Sequence, residues 1–247
     1  MKFSIIMPVY REEAGINAAA RAAARALEGS GGELVIVDGG PAAGTLAALS
    51  GVEAVKLASA PGRGAQLNAG AAKAKGEALL FLHADTTLPQ GALAAAGAVL
   101  ASGEFGAGAF KLKIDSVNPW LRFVAWTANI RNLITDVPYG DQAVFIRKDI
   151  FERLGGFREI PVMEDIDFME RLRAAGIRIK ILQACVLTSA RRWENEGLLK
   201  ATFMHHLLRF LWLAKADPAA IAAFRRTPSP AAWLRALTTR RGGNYAR

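Results

Sequence analysis

Short apolar runs alternate with longer segments whose apolar residues recur at helical spacing through the first hundred residues. The apolar runs are continuous, which is typical of strands buried on both faces of a parallel sheet. The predicted strands are Lys2–Val9, Glu33–Val37, Glu53–Leu57 and Ala78–Leu82, and the clearest helices between them are Glu13–Leu27 and Gln66–Lys75. The pattern predicts an α/β fold with a mostly parallel central sheet flanked by helices.

The pattern changes from Phe105 onward. GAFKLKI predicts a strand, and NPWLRFVAWTANIRNLI predicts an amphipathic helix with one apolar side formed by Trp120, Phe123, Val124, Ile130 and Leu133. A helix beginning at EDID, with Asp167 in its cap, a strand at Ile177–Leu182 and a long apolar C-terminal helix follow. We therefore expect one domain over residues 1–197, with halves 1–104 and 105–197, and a basic helical extension over 198–247.

Polar clusters follow three of the predicted strands, at Tyr10–Glu13, Asp38–Gly40 and His83–Asp85. In open α/β sheets, ligands bind beyond the carboxyl ends of the strands. The three clusters are therefore expected to converge at one edge of the sheet.

Two common nucleotide-binding motifs are absent. PVYREEAG stands where a dinucleotide-binding chain has G-x-G-x-x-G, and GRGAQLNAG lacks the GK[ST] of a P-loop. These differences argue against a dehydrogenase and against an ATPase.

The net charge of +9 is concentrated in the last third of the chain. Such charge attracts a polyanion, an anionic lipid surface or a phosphorylated substrate, although a solvated surface explains it equally well. Zinc-finger spacing and RNP-type motifs are missing, so nucleic acid is not expected as a partner. The single cysteine, Cys185, excludes an intramolecular disulfide, is expected to be a small buried residue, and favours a cytoplasmic location.

Seven motifs together resemble those of the family 2 glycosyltransferases, which have the GT-A fold. They are SIIMPVYREE, VDGG, GRGAQLNAG, FLHADT, YGDQ, EDID and ARRW, in the family's order over residues 2–197. The resemblance implies a Rossmann-like, nucleotide-binding N-terminal half. It also implies transfer of a sugar, with inversion, from a nucleoside diphosphate donor to an acceptor hydroxyl, with Mn²⁺ or Mg²⁺ on the diphosphate. We expect a UDP-linked donor, and a lipid-linked acceptor is among the candidates.

The resemblance also assigns roles to residues. Asp165 corresponds to the base that deprotonates the acceptor. The residues implied for donor binding are Pro8, Tyr10, Glu12, Asp38, Arg63, Gln66, Asn68, His83, Ala84 and Asp85. Those implied at the acceptor or diphosphate are Asp141, Glu164, Arg192 and Trp193. Ser189 replaces the Gln of the processive Q-x-x-R-W element, so processivity does not carry over.

His83 is the main departure from the family pattern, because it stands where the family usually has the first acid of D-x-D. Asp85 remains as a metal ligand and His83 is a second candidate; an imidazole ligand favours Mn²⁺ over Mg²⁺. Structural explanations stay open for four residues: an Asx-turn for Asp38, a strand-end cap for His83, a simple turn for Asp141 and a helix N-cap for Asp165.

Two other functions were weighed against transfer. A sugar-phosphate nucleotidylyltransferase would need a glycine-rich, lysine-bearing signature after the first strand, and PVYREEAG has none. A non-catalytic protein that binds a nucleotide sugar or a lipid surface would be consistent with loss of full metal ligation at His83.

No stretch of about twenty uncharged apolar residues is present, so a membrane span is not expected. The C-terminal helix, with Trp212 and basic residues, and the NPWLRFVAW helix are candidates for peripheral contact with an anionic membrane. Packing on the domain or on a second subunit is the other interpretation, and a homo-oligomer therefore stays among the expected partners.

Overall fold

The structure, a computed structural model, describes residues 1–242. Its strands are β1 (Phe3–Val9), β2 (Glu33–Asp38), β3 (Val55–Ala58), β4 (Ala78–Phe81), β5 (Thr86–Thr87), β6 (Ala107–Asp115), β7 (Phe145–Arg147) and β8 (Ile179–Ser189). Its helices are α1 (Ile16–Leu27), α2 (Gly44–Ala48), α3 (Arg63–Lys73), α4 (Ala92–Ala101), α5 (Pro119–Thr135), α6 (Lys148–Arg153), α7 (Glu164–Ala174), α8 (Arg191–Glu196), α9 (Leu198–Leu213), α10 (Pro218–Arg226) and α11 (Pro230–Thr238).

All eight strands form one sheet in the order β3-β2-β1-β4-β7-β6-β8-β5. β1 pairs in parallel with β2 and β4, β2 with β3, and β6 with β8, while β7 and β5 pair antiparallel with their neighbours. This mostly parallel α/β sheet with flanking helices confirms the predicted fold class.

The described chain divides into two compact units. Unit 1 comprises residues 1–159 and 165–189, and unit 2 comprises residues 160–164 and the described residues from 190 onward. The sequence-based boundary at Gly197 stays a prediction.

The core of unit 1 follows directly from the apolar runs. β1, β2 and β4 are almost wholly buried, which is why their sequences are continuously apolar. Gly70 on α3 illustrates how closely the helices approach the sheet, since a Cβ there would lie 2.5 Å from Ile6 Cγ2. Any larger residue at this position would push α3 away from the strand ends.

Unit 2 has its own apolar core, which includes Leu211, Trp212 and Ile221 with no exposed surface. Asp217 caps α10 by accepting hydrogen bonds from the backbone N–H groups of Ala219 and Ala220. Trp212 therefore belongs to this core, as the packing interpretation of the C-terminal helix requires for this residue, and not to a face that could contact a membrane. None of the helices within residues 1–242 combines the length and the apolar character that crossing a bilayer requires.

Two further local expectations were wrong, and the exposure of α5 adds a third finding. Cys185 is exposed, because β8 runs on to Ser189 and its register with β6 shifts between Phe110 and Lys111. Asp167 does not cap α7, because it pairs with Arg158 and Arg171, each at 2.9 Å. The buried side of α5 carries Leu121, Ala125 and Asn132, and the predicted apolar side, with Trp120, Phe123 and Leu133, faces solvent.

Candidate active site

The three predicted polar clusters lie beyond adjacent strand ends in unit 1. Val9, the last residue of β1, pairs with Asp38, the last residue of β2. On the other side of β1, Ile6 pairs with Phe81, and the Leu82 N–H donates to the Ile6 carbonyl, so His83 emerges next to the end of β1. We call this region the strand-end edge of the sheet.

Asp38 is buried at this edge and its carboxylate is engaged by three backbone N–H groups. Oδ1 accepts from Gly40 at 2.7 Å, and Oδ2 accepts from Thr45 at 3.0 Å and Leu46 at 3.2 Å. The Thr45 hydroxyl in turn accepts from the Glu12 N–H at 3.1 Å. Asp38 thus holds the β2 loop and the start of α2 in one conformation, and the loop after β1 is joined to them through Thr45.

Gln66 and Asn68, on α3, bind backbone groups with their amides. Gln66 Nε2 donates to the carbonyls of Val9 and Val37 at 2.7 and 2.8 Å, which ties the ends of β1 and β2 together. Asn68 donates to the Phe157 carbonyl at 2.8 Å and accepts from its N–H at 2.9 Å. The amide nitrogen of Gln66 and the amide of Asn68 are therefore engaged by backbone groups of the protein.

The loop before β7 connects Asp141 to Asp165. Gly140 lies in a 3₁₀ turn over Gly140–Gln142, and its N–H donates to Asp165 Oδ2 at 2.8 Å. A Cβ at Gly140 would lie 3.1 Å from His83 Nε2 and 3.2 Å from Asp165 Oδ2. The imidazole of His83 and the carboxylate of Asp165 therefore border the same small volume beside this loop.

Asp165 is the second residue of α7, and its Oδ1 accepts from the Ile166 N–H at 2.8 Å. The N-terminal end of a helix favours a negative charge. Each carboxylate oxygen accepts one backbone hydrogen bond and retains a second lone pair. The arrangement fits an ionised carboxylate that can accept a proton.

Burial changes the ionisation of two groups at this site. The pKa of Asp141 is raised to about 6, mainly by burial and further by Asp165 and Asp85, with Arg131 and Arg63 opposing the rise. The pKa of His83 is lowered to about 3, mainly by burial and also by Arg63, with Asp165 acting in the other direction. His83 is therefore a neutral imidazole at physiological pH, able to donate one hydrogen bond and accept another.

Whether these residues fit a divalent metal depends on their donor atoms. Asp85 is exposed, and Asp85 and Asp165 both lie close enough to Asp141 to help raise its pKa. Within residues 1–242, no group of three His, Cys, Asp or Glu side chains could hold a metal ion. A hard cation that takes one or two carboxylates and completes its shell with substrate phosphates fits this set.

The remaining residues that were expected at the donor follow strand ends or begin α3. Pro8 is half-buried in β1, Tyr10 is 48% exposed, and Arg63, also exposed, is the first residue of α3. Ala84 is half-buried between His83 and Asp85. All of the residues expected at the donor belong to unit 1, as do Asp141 and Asp165.

Three expected site residues belong to unit 2. Glu164 is buried at the first position of α7, and Arg192 lies 3.5 Å from Glu196 within α8. The indole Nε1 of Trp193 is buried and has no hydrogen-bond partner among residues 1–242. A buried donor without a partner costs about 1–3 kcal/mol, so this N–H suits a ligand oxygen.

Sequence reasoning missed the residues that support the Asp141 loop. Gln142 is fully buried, accepts from Asn132 at 2.8 Å and from the Tyr139 N–H at 3.1 Å, and donates to the Phe110 carbonyl at 2.9 Å. The guanidinium of Arg131 lies 3.5 Å from the centre of the Tyr139 ring. An amide directly before the apolar AVF run was the one available signal for such a buried role.

A family model described as glycosyl transferase family 2 matches residues 4–153. The chain therefore belongs to glycosyl transferase family 2, and the protein is a glycosyltransferase. A comparison with curated proteins finds no match.

Solved glycosyltransferase structures have the same GT-A fold. TarS 1–349 of S. aureus in complex with UDP-GlcNAc is 19% identical with a TM-score of 0.61, over 99% of this chain and 80% of that chain. The mannosyltransferase PcManGT of Pyrobaculum calidifontis, in complex with GDP-Man and Mn²⁺, is 20% identical with a TM-score of 0.62, over 96% and 68%. A second structure of S. aureus TarS 1–349 is 20% identical with a TM-score of 0.59, over 96% of this chain and 79% of that chain.

Proposed function

We propose that the protein transfers a sugar from a UDP-linked donor to an acceptor hydroxyl by an inverting displacement assisted by a divalent metal. The observation that carries this proposal is the carboxylate of Asp165. It is held at the start of α7 by the Gly140 N–H, beside His83 and near Asp141 and Asp85, in a family 2 chain. The similar structures with UDP-GlcNAc and with GDP-Man and Mn²⁺ support a nucleotide-sugar donor.

Donor binding is proposed for the strand-end edge. Pro8, Tyr10 and Glu12 line one side of the pocket for the nucleotide base. Asp38 completes this pocket, because one carboxylate lone pair remains for the nucleotide and because its hydrogen bonds fix the neighbouring loop. Arg63 is exposed beside the site, where its guanidinium can bind a diphosphate oxygen. The amides of Gln66 and Asn68 keep these walls in place, while Ala84 leaves room between His83 and Asp85.

Asp165 is proposed as the general base. It accepts the proton of the acceptor hydroxyl while the acceptor oxygen forms its bond to the anomeric carbon and the bond from that carbon to the diphosphate breaks. Attack from the face opposite the diphosphate inverts the anomeric centre. Asp141 and Glu164 are proposed to bind sugar or acceptor hydroxyls, and Arg192 and Trp193 the diphosphate and acceptor.

Asp85 is the proposed metal ligand, with the neutral imidazole of His83 as the second candidate. A divalent cation bound there would neutralise charge on the departing diphosphate. Nitrogen ligation by His83 would favour Mn²⁺ over Mg²⁺.

The proposal is tested first by ligand binding. We expect UDP to raise the melting temperature, and to raise it further with Mn²⁺, because a ligand that binds only the folded state stabilises it. Calorimetry that detects no binding of any nucleoside diphosphate in the presence of metal would contradict the proposal.

The variant Asp165→Asn then tests whether Asp165 is the general base. We expect turnover to fall about a hundredfold or more, with UDP affinity nearly unchanged, because the amide cannot accept the proton. Asp149→Asn is the matched control, since this carboxylate is exposed and pairs with Arg147 at 2.9 Å. Turnover equal to wild type would refute the role of Asp165, and a parallel loss of UDP affinity would assign it to the fold or the metal.

A further inference from the structure

Helix α5 displays an apolar face to solvent. Its buried side carries Leu121, Ala125 and Asn132. The exposed fractions on the other side are 38% for Trp120, 51% for Phe123, 57% for Trp126, 64% for Leu133 and 78% for Ile134. The rings of Trp120, Phe123 and Trp126 contact one another in series, with centroid distances of 5.9 and 5.7 Å. An exposed aromatic row of this extent marks an interaction surface.

The charged side chains on helix α5 itself are all basic, and the exposed acids Asp115 and Asp136 lie beyond its two ends. No Asp or Glu occurs between Asp115 and Asp136, whereas Arg122 and Arg131 lie on the helix. Asn129 Oδ1 accepts from the Leu112 N–H on β6 at 2.8 Å, and Asn129 Nδ2 donates to the Leu112 carbonyl at 2.9 Å. The next residue on β6, Lys113, is exposed. Because the Arg131 guanidinium lies over the buried Tyr139 ring, the cations beside the aromatic row are Arg122 on its own helix and Lys113 near the neighbouring strand.

We propose that the aromatic face of α5 docks on an anionic lipid bilayer. Tryptophan and phenylalanine beside arginine and lysine suit the headgroup boundary, where rings bury apolar surface and cations meet lipid phosphates. A second copy of this chain is a poorer occupant. A symmetric contact would bring two cationic helices together without an acid on either helix to pair with them.

Helix α9 of unit 2 carries the same chemistry independently. Leu199, Phe203, Phe210 and Leu213 are each at least half exposed, and their spacing places them along one side of the helix. Residues 198–213 contain Lys200 and Arg209 but no acid. This helix adds a second lipid-binding surface, and its contribution can be measured separately.

The α5 surface is also connected to the loop that carries Asp141. Asn132, near the end of α5, donates to Gln142 Oε1 at 2.8 Å. This step alone rests on the proposed function: in a protein that transfers a sugar, docking through α5 favours an acceptor carried in the bilayer. The docking itself does not depend on glycosyl transfer.

The test is co-sedimentation of the full chain with vesicles of phosphatidylglycerol and phosphatidylcholine, compared with vesicles of phosphatidylcholine alone. We expect binding to the anionic vesicles at low ionic strength and weaker binding as salt is added. The double variant Phe123→Ser/Trp126→Ser should lower the partition coefficient at least about tenfold, since it removes two inserted rings. Leu234→Ser, at a 62% exposed position on α11, is the matched control and should bind like wild type.

Three further measurements keep the outcome clear. Circular dichroism and thermal unfolding check that the variants fold, and Arg122→Glu tests the same face without removing an aromatic ring. Leu199→Ser/Phe203→Ser measures the share of α9. The proposal is overturned if wild type stays in the supernatant with anionic vesicles or if the α5 variants bind as wild type does. It is also overturned if light scattering shows a dimer that the α5 double variant dissociates, which would assign the face to a second copy.

Discussion

Asp141→Asn should make the folded protein more stable at neutral and alkaline pH. Burial is the main reason that the pKa of Asp141 rises to about 6 from its ordinary value of 3.8, and the nearby Asp165 and Asp85 add to the effect. Asparagine has nearly the same shape and is always neutral. The substitution therefore removes an ionisation that the folded state disfavours.

The sign and size of the effect follow from proton linkage. Because the folded pKa lies above the unfolded pKa, the stability from the neutral carboxyl is complete below the unfolded pKa and is lost as pH rises through the folded pKa of about 6. A shift of about two units corresponds to at most about 3 kcal/mol. The variant and wild type should thus be equally stable near pH 3.5, and the variant should be more stable by up to about 3 kcal/mol at pH 8.

Urea unfolding from pH 3.5 to 8, in EDTA and without nucleotide, measures this difference. Asp149→Asn is the control with the opposite sign, because hydrogen bonding to Arg147 lowers the pKa of Asp149. A stability difference that does not change with pH, or an Asp141→Asn variant that is less stable at pH 8, would refute the reasoning. If Asp141 binds donor or acceptor as proposed, turnover should fall in the same variant, as expected where a destabilised group serves activity.

Two other substitutions separate metal binding from structural support. Asp85→Asn should weaken Mn²⁺-dependent UDP binding about tenfold or more while leaving metal-free binding unchanged, because it removes a charged ligand; calorimetry that finds equal Mn²⁺ dependence in both proteins would contradict this role. Gln66→Leu should lower the free energy of unfolding by about 2–4 kcal/mol, because the carbonyls of Val9 and Val37 each lose a buried donor. A loss in urea unfolding below about 0.5 kcal/mol would mean that other groups take over those carbonyls.

The sequence by itself determined the elements of unit 1 and the edge at which polar groups meet. Continuous apolar runs predicted β1, β2 and β4 to within two residues at either end, because a strand buried on both faces tolerates few polar residues. Chain direction then brings Asp38 and His83 to the same side of the sheet, since parallel strands end at a common edge. The family motifs added Asp165 and the loop at Gly140, which lie far apart in the chain.

Only the tertiary structure decided what each of these groups contacts. Asp38 and Gln66 have their polar atoms engaged by backbone groups from other segments, and the Gly140 N–H meets an Asp165 oxygen 25 positions away. Whether a side chain is available to a ligand depends on such non-local partners, which local periodicity does not encode.

The same reason explains the errors in burial. Cys185 is exposed on β8, although its apolar neighbours suggested burial, and Trp212 lies in the core of unit 2, where the sequence left both packing and membrane contact open. An amphipathic pattern shows that one face of a helix will be buried, but only packing chooses which face. The aromatic residues of α5 face solvent because Leu121 and Ala125 pack on the opposite side and Asn129 hydrogen-bonds the backbone of β6.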